Sequence, residues 1–286
     1  MDADNSASEW QLSKLRITMI DVGWGDSSLL EYEDSSGGSR YALVDSNDTS
    51  TVRSSHTFLK RFFEKKNIPI PSNAPVFDWV LLTHAHADHG QGIKRILKDF
   101  GSSCFWHSRS ANQPAFLAAL LRYAVRSRRV GQLDVVDTSK IIPTFGSAAI
   151  QVLWPPPGII SSNENNNSIV LAITLGNVSL LLTGDAEAEG VWTQIGNQIP
   201  SNTKFFKVPH HGAENGTFTT TNTTPWLASL PSDAVVGISS HVRPFPHPAQ
   251  SVAAALSAKT TYRTDQHYHV TLETDGNSLQ ISYSHI

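Results

Sequence analysis

Cysteine is nearly absent from this chain: Cys104 stands alone among 286 residues. That excludes a disulfide framework and any zinc site built from several thiolates. No uninterrupted apolar run approaches the roughly 18 residues that a membrane-spanning helix needs. Neither charge sign dominates, with 22 Lys and Arg against 25 Asp and Glu and a formal net charge of −3. That balance argues against a uniformly basic surface for bulk nucleic-acid binding, though not against a local basic groove. The first residues, MDADNSASEWQLSK, are polar and acidic. They lack the basic region and apolar run of a signal peptide, so the expectation is a soluble cytoplasmic protein. A Gly-rich phosphate loop and a Ser or Cys nucleophile constellation are also missing, and Cys104 reads as core.

What is present is an interleaving of strands and helices. Leu15–Val22 and Ser27–Tyr32 are β-rich and flank the turn Gly23-Trp24-Gly25-Asp26, with a third strand at Arg40–Val44. Val52–Lys66 has helical spacing, Asp78–Leu82 is a short apolar run typical of a buried strand, and Gly92–Phe100 is helical. Cys104–Trp106 is a strand. Pro114–Arg129 is an amphipathic helix whose apolar face is expected to hold Phe116, Leu117, Leu120, Leu121, Ala124 and Val125. The second half supplies a strand at Ala148–Leu153 and a hairpin of Ile169–Leu175 with Val178–Leu182 across Gly176-Asn177. Strands at Lys204–Val208, Ala234–Ile238 and Thr260–Tyr262, a helix at Gln250–Ala258 and a last hairpin, Val270–Thr274 with Ser278–Tyr283, complete it. No composition break marks an internal boundary. A short N-terminal tail, residues 1–14, followed by one α/β domain, residues 15–286, with two sheets and helices outside, is the predicted organisation.

The stretch Thr83-His84-Ala85-His86-Ala87-Asp88-His89-Gly90 crowds three histidines and an aspartate into six residues, just after an apolar strand and just before a helix. In an extended turn His84 and His86, at i and i+2, point to one side. Asp88 and His89 at the helix start can face back toward the same place. Imidazole suits zinc and similar divalent ions, and carboxylate completes such a set. Four ligands this close fit two neighbouring ions more easily than one tetrahedral ion. A polar loop that merely contains histidines is the weaker reading.

Further ligands stand at other strand ends. Val178–Leu182 runs into Thr183-Gly184-Asp185, Lys204–Val208 into Pro209-His210-His211-Gly212, and Ala234–Ile238 into a loop with His241 and Pro246-His247-Pro248. Asp185 taken alone reads as a helix cap or a turn aspartate. The adjacent pair His210-His211 before a glycine is harder to read as inert.

In combination these segments resemble the metallo-β-lactamase superfamily, and within it the hydrolase domain of the ComEC-type competence proteins of bacterial DNA uptake. The motifs that carry the resemblance are Asp21-Val22-Gly23-Trp24-Gly25-Asp26, Ala42-Leu43-Val44-Asp45, the HAHADH run, and Asn166-Asn167-Ser168-Ile169-Val170-Leu171. They continue with Leu181-Leu182-Thr183-Gly184-Asp185, Lys207-Val208-Pro209-His210-His211-Gly212, His247-Pro248 and Tyr262-Arg263-Thr264-Asp265, over roughly residues 15–285. The resemblance implies an αββα sandwich with a two-metal site at one sheet edge. It implies that His84 and His86 hold one ion, that Asp88, His89 and His211 hold the second, and that Asp185 bridges them. Zinc is favoured over manganese. It places His210 and His247 beside the substrate, as proton donors or positioning groups, and Asn167 and Ser168 in a loop near the site. Within the His210-His211 pair the division of roles stays open.

Two departures touch the pocket wall: Trp24 replaces a glutamine usual in the family, and Ser46 a glycine. The additional metal-binding histidine of many superfamily hydrolases has no clear counterpart, since His107 is the only histidine between residues 90 and 184. The resemblance implies a metal-dependent hydrolase, first a phosphodiesterase or nuclease using a metal-activated water. A hydrolase of a small ester, lactone or amide is the alternative, and a non-catalytic metal-binding module comes third. Single-stranded nucleic acid, a small phosphodiester or a small ester is the expected partner. Arg122, Arg126, Arg128 and Arg129 read more readily as a solvated helix end than as a nucleic-acid groove.

Overall fold

A computed structural model describes residues 12–48 and 54–285. Residues 1–11 of the expected tail, and the start of the expected 52–66 helix, lie outside the described residues. Among the described residues, fourteen strands form two sheets. The larger contains β1 (Lys14–Met19), β2 (Ser28–Glu33), β3 (Ser39–Val44), β4 (Phe77–Leu82), β5 (Ser102–His107), β6 (Val130–Val135), β13 (His269–Thr274) and β14 (Leu279–Ser284), in the order β14-β13-β1-β2-β3-β4-β5-β6. The smaller contains β7 (Ala149–Trp154), β8 (Val170–Leu175), β9 (Val178–Leu182), β10 (Thr203–Lys207), β11 (Val235–Ile238) and β12 (Thr261–Arg263), in the order β12-β11-β10-β9-β8-β7.

Side-chain alternation explains why two sheets stack. Leu15, Ile17 and Met19 of β1 point into the space between the sheets, where they meet Leu171, Ile173, Leu180, Leu182 and Phe205 of the smaller sheet. The intervening Arg16 and Thr18 face the other way. β4 reads as a continuous apolar run because both its faces are covered: Trp79 and Leu81 join the inter-sheet core, while Val80 and Leu82 pack under helices.

Those helices are α1 (Ser55–Lys65), α3 (Ile93–Asp99) and α4 (Ala115–Arg126), with the single turn α2 (Ala87–Gly90) preceding α3. α1 starts at Ser54, whose hydroxyl accepts from Thr57 N at 3.1 Å. On the outer face of the smaller sheet, Val191, Trp192, Trp226 and Val252 cover Leu181, Phe206 and Val236. The result is the four-layer α/β sandwich expected from the resemblance.

Three local readings change. Val125 is 73% exposed, so the buried stripe of α4 is the narrower Leu117, Leu120 and Ala124. Arg128 and Arg129 lie past the helix, and β6 begins at Val130. β1 starts at Lys14, one residue inside the expected tail. Strands β3, β4 and β5 run parallel, as do β9, β10 and β11. Their C-terminal ends deliver loops to one edge of the sandwich.

Candidate metal centre

The loop after β4 is held from three sides. Thr83 donates to Asp45 at the end of β3 from its backbone N (2.7 Å) and its hydroxyl (2.8 Å). Asp26 N in the β1–β2 turn donates to Asp88 O at 3.1 Å, and Ser46 N donates to His89 O at 2.8 Å. From the other sheet, Ile169 N donates to Thr83 O at 3.0 Å, while Ala85 N donates to Glu164 Oε1 at 3.0 Å. A loop with its backbone satisfied this way has little freedom to swing its side chains.

The donors fall into two groups sharing one residue. His84, His86 and Asp185 form the first, and Asp88, His89, Asp185 and His211 the second. In the first, His84 Nε2 lies 3.0 Å from His86 Nδ1 and 3.8 Å from Asp185 Oδ2. In the second, His89 Nε2 is 3.2 Å from Asp185 Oδ1, and His211 Nε2 is 3.4 Å from Asp88 Oδ2 and 3.7 Å from Asp185 Oδ2. His84, His89, Asp185 and His211 are buried. The Nε2 atoms of His89 and His211 and Oδ1 of Asp185 are buried with no hydrogen-bond partner. Buried polar atoms are ordinarily satisfied. Three converging unsatisfied donors of nitrogen and carboxylate type fit a divalent cation.

The remaining ring nitrogens are tied down behind the centre. His89 Nδ1 donates to Asp45 Oδ2 at 2.7 Å, and His211 Nδ1 donates to Ser239 O at 2.9 Å. Both bonds leave Nε2 facing inward, the usual way a metal-ligating histidine is oriented. Ser168 Oγ accepts from Asp185 N at 3.0 Å, which gives that loop residue a role behind the shared carboxylate. A third cluster, Asp26, Asp45 and His89, lies deeper. There the buried ammonium of Lys207 already pairs with Asp26.

Charge is concentrated. Burial alone would lower the His89 pKa, but Asp185, Asp45 and Asp88 raise it well above the ordinary histidine value. His211 is also raised, against its burial, by Asp185 and Asp88. Burial would raise Asp185, yet the positive rings of His89 and His211 hold it well below the usual carboxylate range. His84 is pushed down by burial and by the charge of His89.

His210 and His247 border the centre. His210 Nε2 is 3.9 Å from Asp185 Oδ2, and its Nδ1 is 3.9 Å from Glu187 Oε1. Burial, with the positive charge of His211 and His210, lowers the His247 pKa. Trp24 lies against His211 (ring centroids 4.9 Å), Phe245 (5.1 Å) and His247 (5.8 Å). With Phe245 54% exposed, the four rings make an aromatic wall open to solvent. His210 and His211 are both left-handed, with φ of 51° and 55°. Such backbone costs about 1–3 kcal/mol per residue and concentrates at functional sites.

The structure therefore brings together His84, His86, Asp88, His89, Asp185, His210, His211 and His247. His107 instead donates from Nδ1 to its neighbour's carbonyl, Ser108 O, at 2.8 Å and joins neither donor group. Asn167 stays a step away, donating to Ser161 O and Glu164 Oε2. Sequence reading assigned no role to Lys207 or Glu187. Glu187 accepts from Asn163, Asn165 and Asn215, and the Asn-rich run 163–167 was its one visible signal. Phe245 lies two residues before His247, and no pattern in the sequence marks it as part of the site.

No protein-family model matches the chain. The chain is 28% identical over 277 residues to ComE operon protein 3 of Bacillus subtilis, a match covering 89% of this chain and 32% of that protein. The chain thus spans about a third of the length of this curated relative. The resemblance to the competence proteins read from the motifs is shown by this match. Among solved structures, a candidate metal-dependent hydrolase from Parabacteroides distasonis is similar over 88% of this chain and 94% of its own, at TM-score 0.48 and 13% identity. A long-form RNase Z from yeast is similar over 87% of this chain and 40% of its own, at TM-score 0.45 and 13% identity.

Proposed function

We propose that this chain, similar along most of its length to ComE operon protein 3, is a metal-dependent phosphodiesterase or nuclease. The observation that carries the proposal is the pair of donor groups joined through Asp185 at the sandwich edge. His84, His86 and Asp185 would hold one divalent ion, and Asp88, His89, His211 and Asp185 a second, with zinc the favoured metal and manganese the alternative. Two such ions would supply a water acidic enough to attack at neutral pH, and positive charge beside the oxygens that become more negative in the transition state. The choice of a phosphodiester rests on the resemblance to the competence hydrolase domain.

The chain's own groups complete the chemistry. Asp45 and Ser239 fix the rings of His89 and His211. Beside the shared carboxylate, His210 holds and orients the substrate and delivers a proton to the leaving oxygen, with His247 behind it. Trp24 and Phe245 wall one side of the centre and offer a flat surface to an aromatic part of the substrate.

The test is a substrate panel. Protein loaded with zinc or manganese should cleave at least one of single-stranded DNA, RNA or a bis-aryl phosphodiester. Chelator should abolish that activity and metal restore it. Opening of a lactone with every phosphodiester untouched would replace this reading with small-ester hydrolysis. His210→Ala should reduce turnover about 10²-fold or more while leaving metal content near that of the parent.

A further inference from the structure

We infer that the helical layer over the larger sheet is a docking face for the phosphate backbone of a nucleic acid, separate from the His/Asp centre. The choice of nucleic acid as partner rests on the phosphodiesterase reading; the charge segregation does not. The overall charge of −3 conceals a strong asymmetry. Residues 55–129 contain twelve Lys and Arg against four Asp and Glu, a net charge of +8. The rest of the chain contains ten against twenty-one, a net charge of −11.

The fold gathers this positive charge on one face. α1, α3 and α4 turn their apolar stripes into the same core beneath them. His56 of α1 bonds Asp99 of α3 at 2.8 Å, and the Lys94 ammonium of α3 sits 6.0 Å from the Tyr123 ring of α4. The three helices are thus neighbours, and their basic residues point outward: Lys60, Arg61 and Lys65 on α1, then Lys94, Arg95 and Lys98 on α3. Arg122 and Arg126 on α4 continue the face, and Arg128 follows it. Arg61, Lys65, Lys94, Lys98, Arg122 and Arg126 pair with no carboxylate among the described residues, and all are exposed.

Helix-dipole complementarity does not account for the pattern. It favours cations in a helix's last turn only. Lys94 and Arg95 occupy the first turn of α3, where the dipole opposes them, and Lys60 and Arg61 precede the last turn of α1. A membrane surface is the poorer partner. Basic helices that lie on lipid present an apolar face with large side chains to the acyl boundary. Here those faces are spent on the core, and Val125 is the one large apolar side chain that α1, α3 and α4 leave strongly exposed. Position also favours a substrate polymer. α3 begins four residues after His89, so the face starts beside the metal centre. α4 alone is about 18 Å long at 1.5 Å per residue, enough for several phosphates of one strand.

The test is direct binding, measured with the full chain in chelator so that hydrolysis plays no part. A fluorescent single-stranded oligonucleotide of about 30 nucleotides and a duplex of the same length are titrated by anisotropy across a salt series. The variant Lys94→Glu/Lys98→Glu/Arg122→Glu/Arg126→Glu touches neither donor group, and its fold is checked by circular dichroism. The parent should bind at low salt. The variant should bind at least about tenfold more weakly and lose roughly three units of the salt slope for single strands. Its turnover of a small chromogenic phosphodiester, where the parent has any, should be unchanged. Failure of the parent to bind either oligonucleotide, or equal binding by the variant, overturns the inference. So does binding of phosphatidylserine vesicles without binding of oligonucleotide, which assigns the face to a membrane. Oligonucleotide binding without hydrolysis of any phosphodiester would instead sink the proposed reaction and leave the docking face standing.

Discussion

At the residue scale Asp185 is, among the described residues, the side chain common to both donor groups: Oδ1 faces His89, and Oδ2 faces His84 and His211. Asp185→Asn should therefore lower occupancy of both ions, whereas His211→Ala should mainly loosen one. Elemental analysis of the two variants separates these outcomes, and two full equivalents in Asp185→Asn would rule out a shared role. Protonation gives a second expectation. In the metal-free protein His89 and His211 bind their protons more tightly than ordinary histidines, because buried carboxylates face them. A ligating imidazole must be neutral, so each ion displaces protons. The sign follows: metal affinity should rise with pH through and above the ordinary histidine range, and binding should release protons. Titration against a competing chelator between about pH 6 and 8 checks this. A flat pH dependence would show that the two rings do not bind metal.

At the scale of elements, the β1–β2 turn shows how a loop without ligands governs those that have them. Gly25 has φ of 111°, and a Cβ there would collide with Asp88 O and the Asn47 side chain. Gly25→Ala should cost on the order of 1–3 kcal/mol in urea unfolding and lower metal content, because the Asp88 segment must yield. Unchanged stability and metal content would mean that the turn can move freely. The ligand-bearing loops after β4 and β9 were legible in the sequence because each follows a mostly apolar run, and the loop after β10 because its two histidines are adjacent. β4 and β9, buried on both faces, cannot be mistaken for surface segments. β6 was not legible. Its VGQLDV sequence is mostly exposed or half-buried at a sheet edge, so it carries little apolar pattern, and the preceding arginines read as more helix. The tight turns at 188–195 and 225–229 are too short for helical periodicity to show. Asp45 illustrates the limit for the site. Its motif is part of the resemblance and gives it no role, whereas the fold shows that it holds His89 from behind.

At the scale of the whole molecule, the centre ties the two sheets together. His84, His86, Asp88 and His89 follow β4 of the larger sheet, whereas Asp185 follows β9 and His211 follows β10 of the smaller. Between them Lys207 of β10 pairs across the sandwich with Asp26 of the β1–β2 turn. Metal bound there would act as a clamp between layers, because the unfolded chain does not assemble both halves of either donor set. A ligand that binds only the native state stabilises it by about 4 kcal/mol when present at roughly a thousand times its Kd. For a chain of this size that is on the order of 10 °C in melting temperature. Chelation of the metal-loaded protein should therefore lower the melting temperature by several degrees or more, reversibly on adding zinc. Asp185→Asn, already deficient in metal, should respond much less to the same chelator. The control is the inter-sheet core itself: Leu171→Ala should lower both metal-loaded and chelated curves by similar amounts, since it weakens packing rather than the clamp. Equal melting temperatures before and after metal loss, with the loss verified by elemental analysis, would show that the ions bind without joining the sheets.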